Sequence, residues 1–192
     1  MNEFAVFAYG SLVSPASATA TLGRKVEASP PLRLGGWRRR WSTFRNNLAS
    51  EKTFALADDG SLPAWCVGLN VERDDEELGP NGVLLYVTAE EVDRLDVREM
   101  RYDRVDVTQA FDDLPASMTA FAYTAKPRHH APKPPDGAVV IASYVAAVEA
   151  AFAALGEPQL ELYRRTTEAP PIPVIDAVLV RDHIPEGNPR AW

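Results

Sequence analysis

Short apolar runs separated by glycine, proline and polar turns recur along the chain and predict a protein that mixes strands with helices. The first run, Phe4 to Leu12, has small and β-branched apolar residues that predict a buried strand, and it stops at Gly10. At Gly10 the backbone can approach a ligand with no Cβ in the way. Further strands are predicted at 32–44, 54–59, 64–71, 82–88, 102–111, 118–125 and 173–180.

Helices are predicted where end signals flank an apolar pattern. Ser14 followed by proline, with Gly23 beyond, delimits a short helix over 16–22. Thr88 and Glu91 have the spacing of a capping box and open a second short helix, which places Glu99 near its C-terminal end. A long amphipathic helix is predicted over 141–155 and a short one over 159–165.

The segment from Trp37 to Trp41 alternates tryptophan and arginine. If it is extended, Trp37, Arg39 and Trp41 share one face and two arginines lie on the other. Aromatic rings interleaved with arginine can bind single-stranded nucleic acid. The simpler interpretation, which the acidic net charge favours, is a strand whose tryptophans pack and whose arginines pair with carboxylates.

Composition narrows the functional classes. The chain has 192 residues, which suits a single domain over 1–192, and its 20 basic and 27 acidic residues give a net charge of −7. That charge disfavours nucleic acid or an anionic membrane as partner and favours a small-molecule substrate. One cysteine excludes an internal disulfide. With no secretory signal or long apolar segment visible, we expect a cytoplasmic location.

The sequence predicts no metal site and no cofactor. His129 and His130 are adjacent in a proline-rich segment over 126–137, and neighbouring side chains on a loop rarely converge on one ion. The acidic stretch 72–77 matches no calcium-loop spacing and is predicted to be a solvated loop.

The order of motifs resembles the γ-glutamylcyclotransferase-like family. The resemblance is carried by Val6 to Leu12, by Gly36 to Arg40, and by Leu95 to Glu99 followed by Tyr102 to Arg104 and Val107. It covers most of the chain, from Phe4 to about Leu155. It implies an α+β fold, a small mixed β-barrel with flanking helices, and an enzyme that cyclises the glutamyl part of γ-glutamyl compounds to 5-oxoproline.

The resemblance also implies roles for particular residues. Tyr9, Gly10, Ser11 and Leu12 would form the substrate-binding loop, and Glu99 would be the catalytic acid/base. Family members often have glycine after this glutamate, whereas the chain has Met100. That difference leaves the shape of the pocket, and so the amine that leaves, open.

The residues agree with this chemistry on their own terms. A γ-glutamyl group carries its own nucleophile, the α-amine, so the protein needs no Ser-His-Asp or Cys-His set. One carboxylate can take a proton from that amine and return it to the departing one. Glu99 is the candidate, because burial and the helix C-terminus would both raise its pKa. Tyr102 and Tyr123 can supply a hydroxyl donor or a ring wall, with packing as the alternative for each.

Two alternatives stay open. The chain can be a binding module that keeps the loop from Tyr9 to Leu12 and holds a small carboxylate or γ-glutamyl compound without turning it over, with Met100 beside the carboxylate blocking the leaving group. The segment from Trp37 to Trp41 can bind nucleic acid. The sequence leaves the oligomeric state and the pathway, such as glutathione metabolism, undecided.

Overall fold

The computed structural model describes residues 3–75 and 78–190, and these form eleven β-strands and four α-helices. The strands are β1 (Phe4–Ala8), β2 (Leu32–Arg33), β3 (Trp37–Asn46), β4 (Lys52–Leu56), β5 (Trp65–Arg73), β6 (Asn81–Val87), β7 (Tyr102–Asp106), β8 (Thr119–Ala125), β9 (Ala138–Ile141), β10 (Val174–Ile175) and β11 (Ala177–Asp182). The helices are α1 (Pro15–Leu22), α2 (Ala89–Arg98), α3 (Ala142–Ala154) and α4 (Glu157–Arg165).

The strands form three sheets. The first has the order β2-β6-β1-β8-β7, the second has the order β10-β9-β5-β3, and the third pairs β11 with β4. In the first sheet β1 runs antiparallel to β6 and parallel to β8. No pairing among the described strands closes a sheet into a ring. The α+β class with mixed sheets is therefore confirmed, while the closed barrel stays a prediction.

β1 lies at the centre of the first sheet and of the core. Its residues from Ala5 to Ala8 are at most 2 % exposed, and most of the residues paired with them on β6 and β8 are buried as well. This burial explains the nearly continuous apolar sequence of β1, since a central strand is covered on both faces. It also fixes the position of the turn that follows the strand, where Gly10 lies.

The predicted helix ends are confirmed. Ser14 accepts a hydrogen bond from the Ser17 amide at the start of α1, and Gly23 ends that helix in the left-handed conformation at φ 75°. Thr88 and Glu91 form both hydrogen bonds of the capping box at the start of α2. These short-range signals place α1 and α2 directly after β1 and β6.

The segment from Trp37 to Trp41 is part of β3, and its alternation is as predicted. Trp37 and Trp41 are 2 % and 4 % exposed, so their ring faces are not open to stacking bases. Arg38 pairs with Glu168 and Asp74, and Arg40 with Glu72 and Glu168. Packing tryptophans and ion-paired arginines agree with the simpler interpretation of this strand.

Arg39 lies on the buried face and joins β3 to the C-terminal helices. It is fully buried, stacks over the rings of Phe152 and Tyr163 at 4.9 and 4.8 Å, and donates to the carbonyl of Asn81 and to Thr167 Oγ1. Burial lowers its pKa to about 10, so it stays charged at neutral pH. Cation–π contacts with the two rings replace part of the stabilisation that water would give to this cation.

Several boundaries differ from the prediction because they depend on long-range pairing. The apolar run 138–141 is a separate strand, β9, beside β5, so α3 begins at Ala142. The predicted strand 173–180 is two strands, β10 against β9 and β11 against β4. Glu72, predicted to begin an acidic loop, lies instead on β5, where it is paired with Arg38 of β3. Glu76 and Glu77 of the predicted loop lie outside the described residues.

The described residues contain no helix that combines the length and the apolar character needed to cross a membrane.

Candidate active site

The end of β1 turns directly into a short 3-10 helix over Ser11–Val13, which precedes α1. Within the described chain, the amides of Gly10, Ser11 and Leu12 donate to no other residue. The first N–H groups of any helix lack partners inside the helix, and they favour an anionic acceptor. The predicted loop is therefore a set of main-chain donors beside a buried strand.

Glu99 lies between α2 and β7. It ends α2, donating its amide to the Leu95 carbonyl at 2.7 Å, and its carbonyl accepts from the Tyr102 amide at 2.7 Å. These two bonds make a tight junction between α2 and β7. The junction holds the Glu99 side chain toward the interior, where it is 18 % exposed.

Arg98 connects Glu99 with the loop at the end of β1. Its guanidinium is almost fully buried and donates to Glu99 Oε1 at 3.1 Å, to Ser11 Oγ at 3.2 Å and to two hydroxyls of α1. Sequence reasoning missed this residue. The pattern of α2 offered no signal, because the role of Arg98 depends on the packing of α2 against α1.

The pKa of Glu99 is raised by burial, which disfavours the charged carboxylate. Arg98 lowers it again by charge and by its hydrogen bond, and Arg101 adds a smaller lowering effect. The result agrees with the direction predicted from sequence. A carboxyl with a pKa above its usual range is a better proton acceptor near neutral pH.

Glu99 and the glycine turn both line a small cavity of about 40 Å³. A single water molecule needs about 10–15 Å³ of such space, so the cavity has room for a few non-hydrogen atoms. Every site residue predicted from the sequence lines this cavity. They are Tyr9, Gly10, Ser11, Leu12, Glu99, Tyr102 and Tyr123.

The predicted tyrosines direct their hydroxyl protons to the protein. Tyr9 donates to the Tyr123 carbonyl at 2.6 Å, and Tyr123 donates to Asp96 Oδ1 at 2.7 Å. Tyr102 donates to the Leu69 carbonyl at 2.8 Å. Their rings wall the cavity, but none of the three has a free proton to offer a ligand.

Tyr144, which sequence reasoning did not single out, differs from them. It lies in the first turn of α3, lines the small cavity, and its hydroxyl oxygen is 3.5 Å from the position that a Cβ on Gly10 would take. No described residue accepts a hydrogen bond from this hydroxyl. Burial raises the pKa of Tyr144 well above its usual value, so the phenol keeps its proton. Trp41 holds the ring edge-on, with centroids 6.1 Å apart.

A second cavity of about 600 Å³ adjoins the first, and Ser11, Glu99, Tyr102 and Tyr144 line both. Its size is within the range of small-molecule pockets. The remaining wall combines apolar and basic side chains with several hydroxyl-bearing ones. Its apolar members include Phe44, Phe54, Val67, Ile141 and Leu179, and its basic members are Arg45, Lys52, Arg98 and Arg101.

Met100 lines neither cavity. It is 39 % exposed, and its carbonyl accepts from Lys126 Nζ at 3.0 Å. Its side chain therefore does not stand beside the Glu99 carboxyl as a barrier to a leaving group.

Among the described residues, no three or more His, Cys, Asp and Glu side chains converge on a position suited to a metal ion. His130 contacts Glu72 through Nε2 at 3.0 Å, in a hydrogen bond between a loop and β5. The site thus brings a buried carboxyl, an arginine and a phenol together with the amides of the Gly10 turn.

Comparison with solved structures identifies the fold as γ-glutamyl cyclotransferase-like. A γ-glutamyl cyclotransferase matches 83 % of this chain and 85 % of its own length, with a TM-score of 0.54 and 15 % identity. An uncharacterized protein from Homo sapiens matches 84 % and 87 % with a TM-score of 0.54 and 15 % identity. YkqA from Bacillus subtilis matches 86 % of this chain with a TM-score of 0.51 and 17 % identity, and the match spans 54 % of its length.

The resemblance drawn from the sequence motifs is confirmed at the level of the fold. No family model matches the chain, and no curated protein matches it significantly.

Proposed function

We propose that this protein is a γ-glutamylcyclotransferase-type enzyme, which converts a γ-glutamyl-amino acid, γ-glutamylamine or small γ-glutamyl peptide to 5-oxoproline and a free amine. The observation that supports the proposal is the small cavity lined by both the Gly10 turn and the buried carboxyl of Glu99. No cofactor enters the proposed reaction.

The γ-glutamyl group carries its own nucleophile, and it would occupy the small cavity together with the adjoining end of the large one, since Ser11, Glu99, Tyr102 and Tyr144 line both. Glu99 takes a proton from the substrate's α-amine, the amine nitrogen attacks the γ-carbonyl carbon, and the carbonyl electron pair moves to oxygen. The tetrahedral intermediate then collapses, the bond to the departing nitrogen breaks, and that nitrogen takes the proton from Glu99. Atoms balance without water, and holding amine and carbonyl in one bent conformer supplies much of the acceleration.

Two kinds of donor line the small cavity and suit the two negative groups of the substrate. The amides of Gly10, Ser11 and Leu12 suit the α-carboxylate, and the Tyr144 hydroxyl suits the oxygen that becomes negative at the γ-carbon. Tyr9, Tyr102 and Tyr123 shape the cavity through their rings. Arg98 positions both Glu99 and Ser11, because it donates to each.

Fold-level likeness agrees with this assignment, since a solved γ-glutamyl cyclotransferase shares the fold. The alternative is a non-catalytic module that binds a γ-glutamyl compound or another small carboxylate on the same fold. This alternative was suggested by Met100, a bulky residue next to Glu99 that could block the leaving group. Met100 lines neither cavity. A bound ligand without 5-oxoproline would favour this alternative.

The test is a screen of purified protein against γ-glutamyl-amino acids, γ-glutamylamines and short γ-glutamyl peptides, with 5-oxoproline measured by mass spectrometry. We expect release from at least one class. Thermal stabilisation by such compounds with no product from any class would replace the enzyme with the binding module.

Removal of Arg98 is expected to move the acidic limb of the pH profile. Because the Arg98 charge lowers the pKa of Glu99, Arg98→Met raises that pKa further, so log kcat/KM begins to fall at a higher pH as the medium is acidified. Arg98→Lys keeps the charge and should shift the limb less. Arg94→Met is the control, since Arg94 joins α2 to the Thr21 carbonyl of α1. If the acidic limb of Arg98→Met lies at the same pH as that of the wild-type protein, Arg98 does not lower the pKa of Glu99 as proposed.

Gly10→Ala is expected to weaken substrate binding while keeping the fold. The new methyl would lie at ordinary contact distances, 3.5 Å from the Tyr144 hydroxyl and 3.8 Å from Leu69 Cδ1, inside a cavity of about 40 Å³. It therefore occupies substrate space without a steric clash, and KM should rise by about tenfold or more. Gly35→Ala, where nothing lies within 4 Å, is the matched control. Unchanged KM in a folded Gly10→Ala protein would remove the turn from the binding site.

A further inference from the structure

The wall of the large cavity carries an excess of positive charge. Arg101 and Arg190 both bind the Glu51 carboxylate, at 2.6 and 2.7 Å, and Arg45 lies within electrostatic reach of the same carboxylate. Burial alone would raise the pKa of Glu51, but the hydrogen bonds from the two arginines bring it well below its usual range. Two guanidinium groups thus bind one carboxylate, with a third nearby, in a protein whose net charge is −7.

Arg45 is the member of this group whose charge faces the cavity with no carboxylate bound to it among the described residues. Its Nη1 donates to Ser50 Oγ at 2.5 Å and to the Lys52 carbonyl at 2.7 Å, and its guanidinium lies over the Phe54 ring at 5.4 Å. These contacts hold the side chain in one orientation. A half-buried guanidinium held in this way is suited to a ligand carboxylate, which it can bind through two parallel hydrogen bonds.

One part of the wall is made of bulky apolar side chains. Phe44, Phe54 and Val67 come from three neighbouring strands, and Ile141 and Leu179 complete the lining. Such a surface gains free energy from burying a large hydrocarbon group, and it gives none to a cationic chain such as a polyamine.

The register of β3 and β5 sets the direction of the cavity. Thr43 pairs with Gly68, and a Cβ on Gly68 would be 3.9 Å from the Tyr102 hydroxyl, beside the proposed reaction centre. Arg45 pairs with Cys66, two residues further along, which is about 7 Å in an extended strand. A leaving amine with its nitrogen near Glu99 can therefore extend a carboxylate toward Arg45.

We propose that the large cavity binds the departing amine and selects one that carries both a bulky apolar side chain and a carboxylate, with the carboxylate held by Arg45. This inference rests on the proposed function. The substrates it favours are γ-glutamyl derivatives of large apolar amino acids, or of short peptides that contain them, over γ-glutamyl polyamines.

The experiment compares three compounds: γ-glutamyl-L-phenylalanine, γ-glutamyl-phenethylamine, which lacks the carboxylate, and γ-glutamyl-glycine, which lacks the apolar side chain. In wild-type protein, kcat/KM for the first should exceed that for each of the others by about tenfold or more. Arg45→Met should bring the first two compounds within about threefold of each other, because a hydrogen bond to a charged group is lost. Arg33→Met, an exposed arginine on β2, should keep the wild-type ratio.

Arg45→Lys guards against misfolding, since it keeps a positive charge on a long side chain, and it should retain part of the preference. Equal kcat/KM for the phenylalanine and phenethylamine compounds in wild-type protein would overturn the proposal. So would an unchanged ratio in folded Arg45→Met.

Calorimetric binding of the same compounds to the Glu99→Gln variant separates this proposal from the proposed reaction. Arg45-dependent binding without turnover in wild-type protein would support the subsite and refute the cyclisation. Turnover in wild-type protein without Arg45-dependent discrimination would support the cyclisation and refute the Arg45 subsite.

Discussion

Replacing Glu99 with glutamine is expected to lower kcat for 5-oxoproline release by about 10²- to 10⁴-fold, the usual contribution of a positioned acid or base. The amide keeps the size of the side chain and an oxygen that can accept from Arg98 Nε, so the contact at the end of α2 is preserved. What is lost is the group that takes the proton from the α-amine and returns it to the leaving nitrogen. Release of 5-oxoproline from an accepted γ-glutamyl compound, with thermal unfolding measured in parallel, checks the prediction.

The matched control is Glu90→Gln, which removes a carboxylate from the exposed face of the same helix. It changes the net charge by the same amount and should leave kcat within about twofold, as expected for a surface substitution. Equal turnover by the Glu99→Gln and wild-type proteins would take Glu99 out of the mechanism. The proposed chemistry would then lack a base, since Glu99 is the carboxylate that lines the small cavity.

The parts of the fold that the sequence predicted well are those determined within a few residues. The Ser14 cap, the left-handed Gly23 and the capping box that Thr88 opens are local hydrogen-bond patterns, and each is present where predicted. The alternation around Trp37 follows from the twofold period of a strand. β9 was not predicted, and only its last residue, Ile141, lay in the predicted helix over 141–155, because a four-residue apolar run carries no period of its own and becomes a strand only beside β5.

The same distinction applies to the site. Glu99 and the turn after Tyr9 each belong to a recognisable sequence motif. The two motifs lie in separate parts of the chain, and both line one cavity. Arg98 and Tyr144 lack such motifs. Arg98 reaches the site because α2 packs on α1, and Tyr144 because α3 packs against the 3-10 helix that follows β1. Contacts of this kind join residues far apart in sequence, which periodicity cannot report.

Tyr144→Phe is expected to lower kcat by about 10²- to 10³-fold, the range found when one donor to a developing oxyanion is removed. The reason lies in the hydrogen bonds of the four tyrosines that line the small cavity. Tyr9, Tyr102 and Tyr123 donate their hydroxyl protons to protein acceptors, whereas the Tyr144 proton has no described acceptor and the hydroxyl faces the glycine turn. Removing it should therefore reduce turnover, with little effect on stability beyond the loss of the backbone contact between this hydroxyl and Leu69. Steady-state kinetics and urea unfolding of the same preparations measure the two effects separately.

Tyr102→Phe is the informative comparison, because it deletes a hydroxyl from the same cavity that is engaged with the Leu69 carbonyl at 2.8 Å. Loss of that buried hydrogen bond should lower the free energy of unfolding by about 1 kcal/mol or more, since it leaves a carbonyl without its donor. The two substitutions thus differ in which quantity changes, although each removes one oxygen atom. Wild-type kcat in Tyr144→Phe would assign the stabilisation of the oxyanion to the amides of the Gly10 turn alone, and Tyr144 would then be a wall residue like Tyr102.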